Sequence, residues 1–222
     1  MLRRGMMAQS AGGGPPWANV VALLHMDGSN GSTTFTDEKG AAYTRTNTPT
    51  ISTAQSKFGG ASGLFANNSA VTSPSSATYA ITGSFTVEMW VRPTAVTALA
   101  GLWTLYAGGG VYAHINNTGK VVFSNGAVTC TSTGSLAAGV WVHLAFVRSG
   151  STYTTYINGV ADGTASSADN FASNRALKIG ADPAVTGGSG GMAGYFDDVR
   201  FTNGVAVYTA NFTPPNAPFP NS

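Results

Sequence analysis

Apolar and polar positions alternate in short runs along most of the chain. In Phe85-Thr86-Val87-Glu88-Met89-Trp90-Val91-Arg92 one side presents Phe, Val, Met and Val, and the other Thr, Glu, Trp and Arg. A period of two marks a strand with unlike faces. Val140-Trp141-Val142-His143-Leu144-Ala145-Phe146-Val147-Arg148 is largely apolar on both sides, as in a sheet covered on both faces. Similar runs fall at Val20–Met26, Gly63–Ala66, Gly101–Tyr106, Val111–Asn116, Lys120–Ser124, Val128–Thr131, Thr152–Ile157, Leu177–Ile179 and Gly194–Thr202. Short strands at this spacing, with turn signals between them, predict an all-β sandwich or barrel. Asn158-Gly159 predicts a tight hairpin, because both central residues of a type I′ turn need positive φ. A simple sandwich covers each sheet once. The doubly apolar run therefore predicts long loops, or a small third sheet, over the second face of its sheet.

Composition narrows the class. The 222 residues include 29 Gly and 10 Pro, and only 9% are charged, against roughly 25% in ordinary soluble proteins. Ser, Thr and Asn must cover the surface, and a helical bundle or coiled coil is excluded. The formal charge of +2 is accounted for by Arg3 and Arg4. No basic stripe interleaved with aromatics is present, so a nucleic-acid partner is not expected. Cys130 is the single cysteine, which rules out an intrachain disulfide and a cysteine-based zinc site. The first apolar run, Val20–Leu24, has five residues. A signal peptide needs about 7–15 and a membrane span about 20, so neither is expected. Residues 1–16, closing on Gly12-Gly13-Gly14-Pro15-Pro16, read as a flexible or partner-docked arm, and residues 17–222 as one domain.

Several blocks, in order, resemble those of concanavalin A-like, laminin-G-like jelly-roll domains. They are Phe85-Thr86-Val87-Glu88-Met89-Trp90-Val91-Arg92-Pro93, Trp141 to Arg148, the Tyr156-Ile157-Asn158-Gly159 hairpin, Leu177-Lys178-Ile179-Gly180, and Gly194 to Phe201 with its Asp197-Asp198 pair. The resemblance implies an antiparallel two-sheet jelly-roll sandwich. The stretch Thr202 to Pro215, together with Leu23-Leu24-His25-Met26-Asp27-Gly28 and Lys57-Phe58-Gly59-Gly60-Ala61-Ser62, is similar to the versions found in tailed-bacteriophage virion and tail-fibre proteins. That likeness implies a non-enzymatic virion structural protein, assembled in the host bacterial cytoplasm and displayed on the virion exterior. Its arm would dock on other virion proteins. It also implies a homo-oligomer, for which the chain itself shows no heptads. The other class of function is an adhesin that binds host glycans.

The same chain offers candidate chemistry. Sugar binding uses aromatic faces beside amides and hydroxyls. Trp103, Tyr106, Tyr112, Asn116 and Asn117 sit in one stretch of that composition. Retaining glycoside hydrolysis needs two carboxylates about 5–5.5 Å apart, and no acid stands at positions 84, 86, 90 or 92 beside Glu88. No enzyme is expected; a glycoside hydrolase, with a carboxylate partner from a neighbouring strand, is the remote alternative. His143 reads as a packed, hydrogen-bonded histidine. The Gly187-Gly188-Ser189-Gly190-Gly191 match to G-x-S-x-G lacks the strand-turn-helix context of a nucleophile elbow. No cofactor is required. Asp27 to Glu38 spans twelve residues like a calcium loop, but Gly31 supplies no ligand and Ser32 replaces the glycine. Related jelly rolls hold calcium at loop carboxylates, which makes Asp27, Asp37, Asp197 and Asp198 the acids for a structural calcium. A salt bridge from Asp197 or Asp198 to Arg200 or Arg148 is the competing expectation.

Overall fold

The computed structural model describes residues 14–181 and 190–222. A single turn of 3-10 helix at Trp17–Asn19 leads into β1 (Val20–Leu24). The strands that follow are β2 (Thr44–Thr46), β3 (Thr50–Ser52), β4 (Ser62–Phe65), β5 (Ala70–Thr72), β6 (Phe85–Pro93), β7 (Ala100–Tyr106), β8 (Gly110–Ile115) and β9 (Lys120–Ser124). They continue with β10 (Thr129–Ser135), β11 (Val142–Ser149), β12 (Thr152–Ile157), β13 (Val160–Ser166), β14 (Lys178–Ile179) and β15 (Gly194–Asn203). Every run read from the alternation is a strand. The hairpin turn has Asn158 at φ 48° and Gly159 at φ 79°, as a type I′ turn requires.

Two antiparallel sheets result. One has the order β13-β12-β11-β6-β15-β4-β3, with β1 pairing β15 as its eighth strand. The other runs β10-β9-β8-β7-β14-β5-β2. Their inner faces meet in an aromatic core. Trp103 packs on Phe123 and Phe146, and Phe85 contacts Phe123, Tyr153 and Phe201 edge-on. These rings are almost wholly buried, and such edge-to-face pairs add about 0.5–1.5 kcal/mol each beyond burial.

The outer face of the eight-stranded sheet is covered as well, as the doubly apolar strand β11 required. The cover is neither a third sheet nor an internal loop alone; most of it is the C-terminal segment 204–221, which runs back over β12, β11, β6 and β15 as a strap. Tyr208 and Phe212 stack face to face with centroids 3.5 Å apart, and both rings contact Tyr156. Together with Ala206 they pack on Ala145, Val147 and Tyr156. Farther along, Phe219 packs with Val20, Leu23 and Trp17. The hairpin docks the strap: the Phe212 amide donates to the Gly159 carbonyl at 2.8 Å, and Ala161 N donates to Asn211 Oδ1. A β carbon at Gly159 would stand 1.9 Å from the Phe212 carbonyl oxygen.

Candidate functional site

The outer face of the eight-stranded sheet is built of cross-strand rows. His143, Trp90 and Asp197 form one, since His143 pairs with Trp90 and Trp90 with Asp197. Ala145, Glu88 and Arg200 form the next, and Val147, Thr86 and Thr202 the third. All nine residues are buried. Glu88 lies beneath the strap. Its Oε1 accepts from Arg200 Nε (3.0 Å) and Nη2 (2.7 Å), and its Oε2 accepts from the Tyr208 hydroxyl (2.7 Å). His143 Nε2 lies 3.4 Å from Oε2. Burial would raise the Glu88 pKa. The Arg200 charge, helped by His143 and Tyr208, outweighs it and brings the pKa to about 2. Arg200 is itself capped by Phe219, whose ring centre is 3.7 Å from the guanidinium carbon. A carboxylate so paired and enclosed has no proton to give and no path to a substrate; its geometry is that of a fastener for the strap. His143 is fully buried beside Trp90, Phe212 and Glu88.

Asp197 and Asp198 do not pair with Arg200 or Arg148, contrary to the salt-bridge expectation. A β-bulge between Asp197 and Arg200 marks the place where β15 exchanges β4 for β1 as its neighbour. Asp198 takes the left-handed conformation there, at φ 49°, and both carboxylates are buried. Asp197 Oδ2 accepts the amides of Lys57 and Phe58. Burial, with Asp198 and Asp27 nearby, raises its pKa to about 7 against the pull of those amides. Asp198 Oδ1 accepts from His25 Nδ1, and its Oδ2 from the Phe219 amide. His25 Nε2 faces Asn221 Oδ1 at 2.7 Å, while Asn221 Nδ2 donates to Glu38. Both imidazole nitrogens therefore meet acceptors, which only the imidazolium satisfies. The Asp198 hydrogen bond lifts the His25 pKa to about 9 despite partial burial. Arg148 is occupied with the Gly150 carbonyl. Asp37 binds its own turn through Lys39 N and Ala41 N, and Asp27 is exposed. Among the described residues, no three His, Cys, Asp or Glu side chains converge as metal ligands.

The aromatic candidates separate. Trp103 is fully buried, so its ring offers no face to a sugar. A bulge in β7 between Gly101 and Trp103 shifts the alternation and turns it into the core. Asn116 is consumed by its own turn: Oδ1 accepts from Thr118 N, Thr118 Oγ1 and Lys120 N. Asn117 is exposed at that turn. Of Tyr106 only the backbone, paired with Gly110, is described. Tyr112 stands part-exposed on the outer face of the seven-stranded sheet, stacked on His114 at 5.9 Å. Its row continues through Thr104 and Lys178 to Thr72. Gly187, Gly188 and Ser189 of the G-x-S-x-G match, and residues 1–13 of the arm, lie outside the described residues.

A fourth row of the eight-stranded sheet escaped the sequence reading. Arg92 pairs with Tyr195, Tyr195 with Leu64, and Leu64 with Thr50. One residue beyond the Val142–Val91 pair, Trp141 comes opposite Arg92. All five residues are part-exposed; the strap and the Lys57–Phe58 loop stop short of them. The Trp141 and Tyr195 rings are 6.5 Å apart and inclined by 55°. The Arg92 guanidinium carbon lies 5.9 Å from the Tyr195 ring centre. The signal was present: Trp141, Arg92 and Tyr195 each stand two residues from a member of the His143–Trp90–Asp197 row. Only the pairing of three separate strands brings them together.

A family model described as the concanavalin A-like lectin/glucanases superfamily matches residues 65–207. The chain belongs to this superfamily. Among solved structures, this lectin/glucanase-type chain is similar to domain 4 of AbnA, a GH43 extracellular arabinanase from Geobacillus stearothermophilus, in complex with arabinotriose (17% identity, 86% of this chain and 94% of that one, TM-score 0.63). It is also similar to Trypanosoma rangeli sialidase in complex with 2,3-difluorosialic acid (12%, 93% of this chain and 32% of that one, 0.61). A third is the receptor-binding domain of botulinum neurotoxin type G (13%, 86% and 49%, 0.56). The lectin/glucanase-type chain thus spans about a third of the sialidase and about half of the toxin domain. No curated protein matches. At these identities the likenesses establish the jelly-roll fold, and they include hydrolases as well as binding domains.

Proposed function

We propose that this lectin/glucanase-type domain is a non-catalytic, glycan-binding attachment module carried on the exterior of a bacteriophage virion. The observation that carries the binding role is the uncovered row Trp141–Arg92–Tyr195. Elsewhere on that face the chain covers its apolar and ionisable side chains, and here it leaves two rings and a cation in reach of solvent. Aromatic faces stack on the C–H faces of sugar rings. Tyr112 and Asn117, on and beside the outer face of the other sheet, are a secondary surface for the same chemistry. The similarity of Thr202–Pro215 to phage virion and tail-fibre proteins supports the virion setting; these residues fold as the end of β15 and most of the strap. Partners there are other virion proteins, met through residues 1–16.

The test is a glycan array with the purified domain, repeated with Trp141→Ala and Tyr195→Ala. Binding that both variants abolish, with thermal midpoints kept, supports the reading. Polysaccharide turnover by the purified domain would replace it by a hydrolase. Immunogold labelling of purified virions locates the protein; labelling confined to the host cytoplasm would remove the virion assignment. Structural calcium is not required by this reading. A calcium-dependent rise in thermal midpoint that disappears in Asp27→Asn would add it.

A further inference from the structure

Five arginines lie among the described residues, and four are held by the protein. Arg45 donates to the Pro49 carbonyl, Arg148 to that of Gly150, Arg175 to those of Leu105 and Gly109, and Arg200 to Glu88. Among the described residues, no carbonyl, carboxylate or hydroxyl accepts from Arg92. Its guanidinium carbon lies 5.9 Å from the Tyr195 ring centre, and the Trp141 and Tyr195 rings are 6.5 Å apart. Gly139 stands beside it without a side chain: a β carbon there would be 3.8 Å from Nη2. Among the described residues, little negative charge opposes it locally. Asp197, in the neighbouring row, is buried and turned to the Lys57 and Phe58 amides, and Lys57 itself lies over the Trp90 ring at 3.8 Å. A guanidinium whose N–H groups the protein does not take up is matched to a carboxylate, which it binds through two parallel N–H···O bonds. Rings on either side supply the apolar contact that a pyranose face needs.

From this geometry we infer that the Trp141–Arg92–Tyr195 row selects acidic saccharides, sugars with a ring-borne carboxylate such as uronic or sialic acids, over neutral ones. The carboxylate is bound at Arg92 while the sugar ring lies against Trp141 or Tyr195. The inference rests on the glycan-binding reading above and adds the class of sugar.

The probes are oligogalacturonate and sialyllactose, each titrated against its neutral counterpart, a galactan oligosaccharide and lactose, by calorimetry at low and at 0.5 M salt. The acidic sugars are expected to bind about tenfold or more tightly than the neutral ones, a difference of about 1.4 kcal/mol, and to weaken in salt. Arg92→Gln should remove that advantage, bringing the acidic sugars down to the affinity of their neutral counterparts. Arg92→Lys, which keeps the charge but not the paired donors, should recover only part of it. Lys120→Gln, a charge change on the other sheet, serves as control. Equal binding of acidic and neutral sugars, unaffected by Arg92→Gln but lost with Trp141→Ala, overturns the selectivity and leaves the binding role standing. Absence of binding to all four probes overturns both. Loss of acidic-sugar binding in Lys120→Gln to the same degree as in Arg92→Gln would reduce the effect to net charge and overturn the site.

Discussion

The two sheets are finished differently on their outer sides. The seven-stranded sheet presents Thr44 and Thr129 exposed, with Tyr112, Thr72 and Lys178 part-exposed. The eight-stranded sheet carries Glu88, His143, Trp90 and Asp197 on the same side of its pleat and buries all of them. Hydroxyl-bearing β residues can face water directly. A face that mixes apolar and ionisable side chains needs a cover that both removes apolar surface and supplies partners, because a buried charge left unpaired is strongly destabilising. The strap does both, with Tyr208 donating to Glu88 and Phe219 lying over Arg200. Where the cover ends, the Trp141 and Tyr195 rings stay part-exposed.

This contrast can be broken at several points. Glu88→Ala leaves Arg200 buried without its carboxylate and should cost about 3–5 kcal/mol in urea unfolding; a loss below about 1 kcal/mol would mean the strap is held by packing alone. Trp103→Ala should cost a similar ~3–5 kcal/mol through its core cavity, lowering glycan binding only as far as it lowers the folded fraction. Gly159→Ala forces a β carbon into the Phe212 carbonyl at φ 79° and should cost at least about 1 kcal/mol. Hydrogen exchange should speed up at the Phe212 amide first.

Titration should act on the strap's far end. The His25 pKa is raised to about 9 from 6.5, so its contribution is complete below about pH 6.5 and is lost as pH rises through 9. Protection of the Phe219 amide, relative to its intrinsic base-catalysed exchange, should fall over that window, and His25→Gln should abolish that fall. Glu88 works in the opposite direction. Its contribution is present above about 4.5 and lost as pH falls toward 2. The smallest stability effect belongs to Tyr112→Ala. On a part-exposed face it should cost under about 1 kcal/mol, and any loss of glycan binding would then be specific.

Strands with strong alternation were legible, and so was the need for a second cover over β11. The strap itself was not, because residues 204–221 carry no periodic pattern and their aromatics find partners only across the sheet. Strands β2, β3 and β5 escaped notice because three residues are too few to show a period. Trp103 and Trp141 show where composition stops. Both are tryptophans in strand-like runs, yet a bulge turns one into the core, while the register of three strands brings the other to a surface beside Arg92. Facing depends on pairing, and pairing between distant segments is not written locally.

The position of β15 bears on how the chain is made. This strand lies with β6 on one side and β4 and β1 on the other, yet it is synthesised after all of them. A nascent polypeptide emerging from the ribosome must hold those strands apart, with their hydrogen-bonding edges open, until residues 194–203 arrive and the strap can follow. Such late, long-range closure favours slow, nearly all-or-none folding over piecewise assembly. It makes the interval before β15 emerges the period when the earlier strands are most exposed to misassociation.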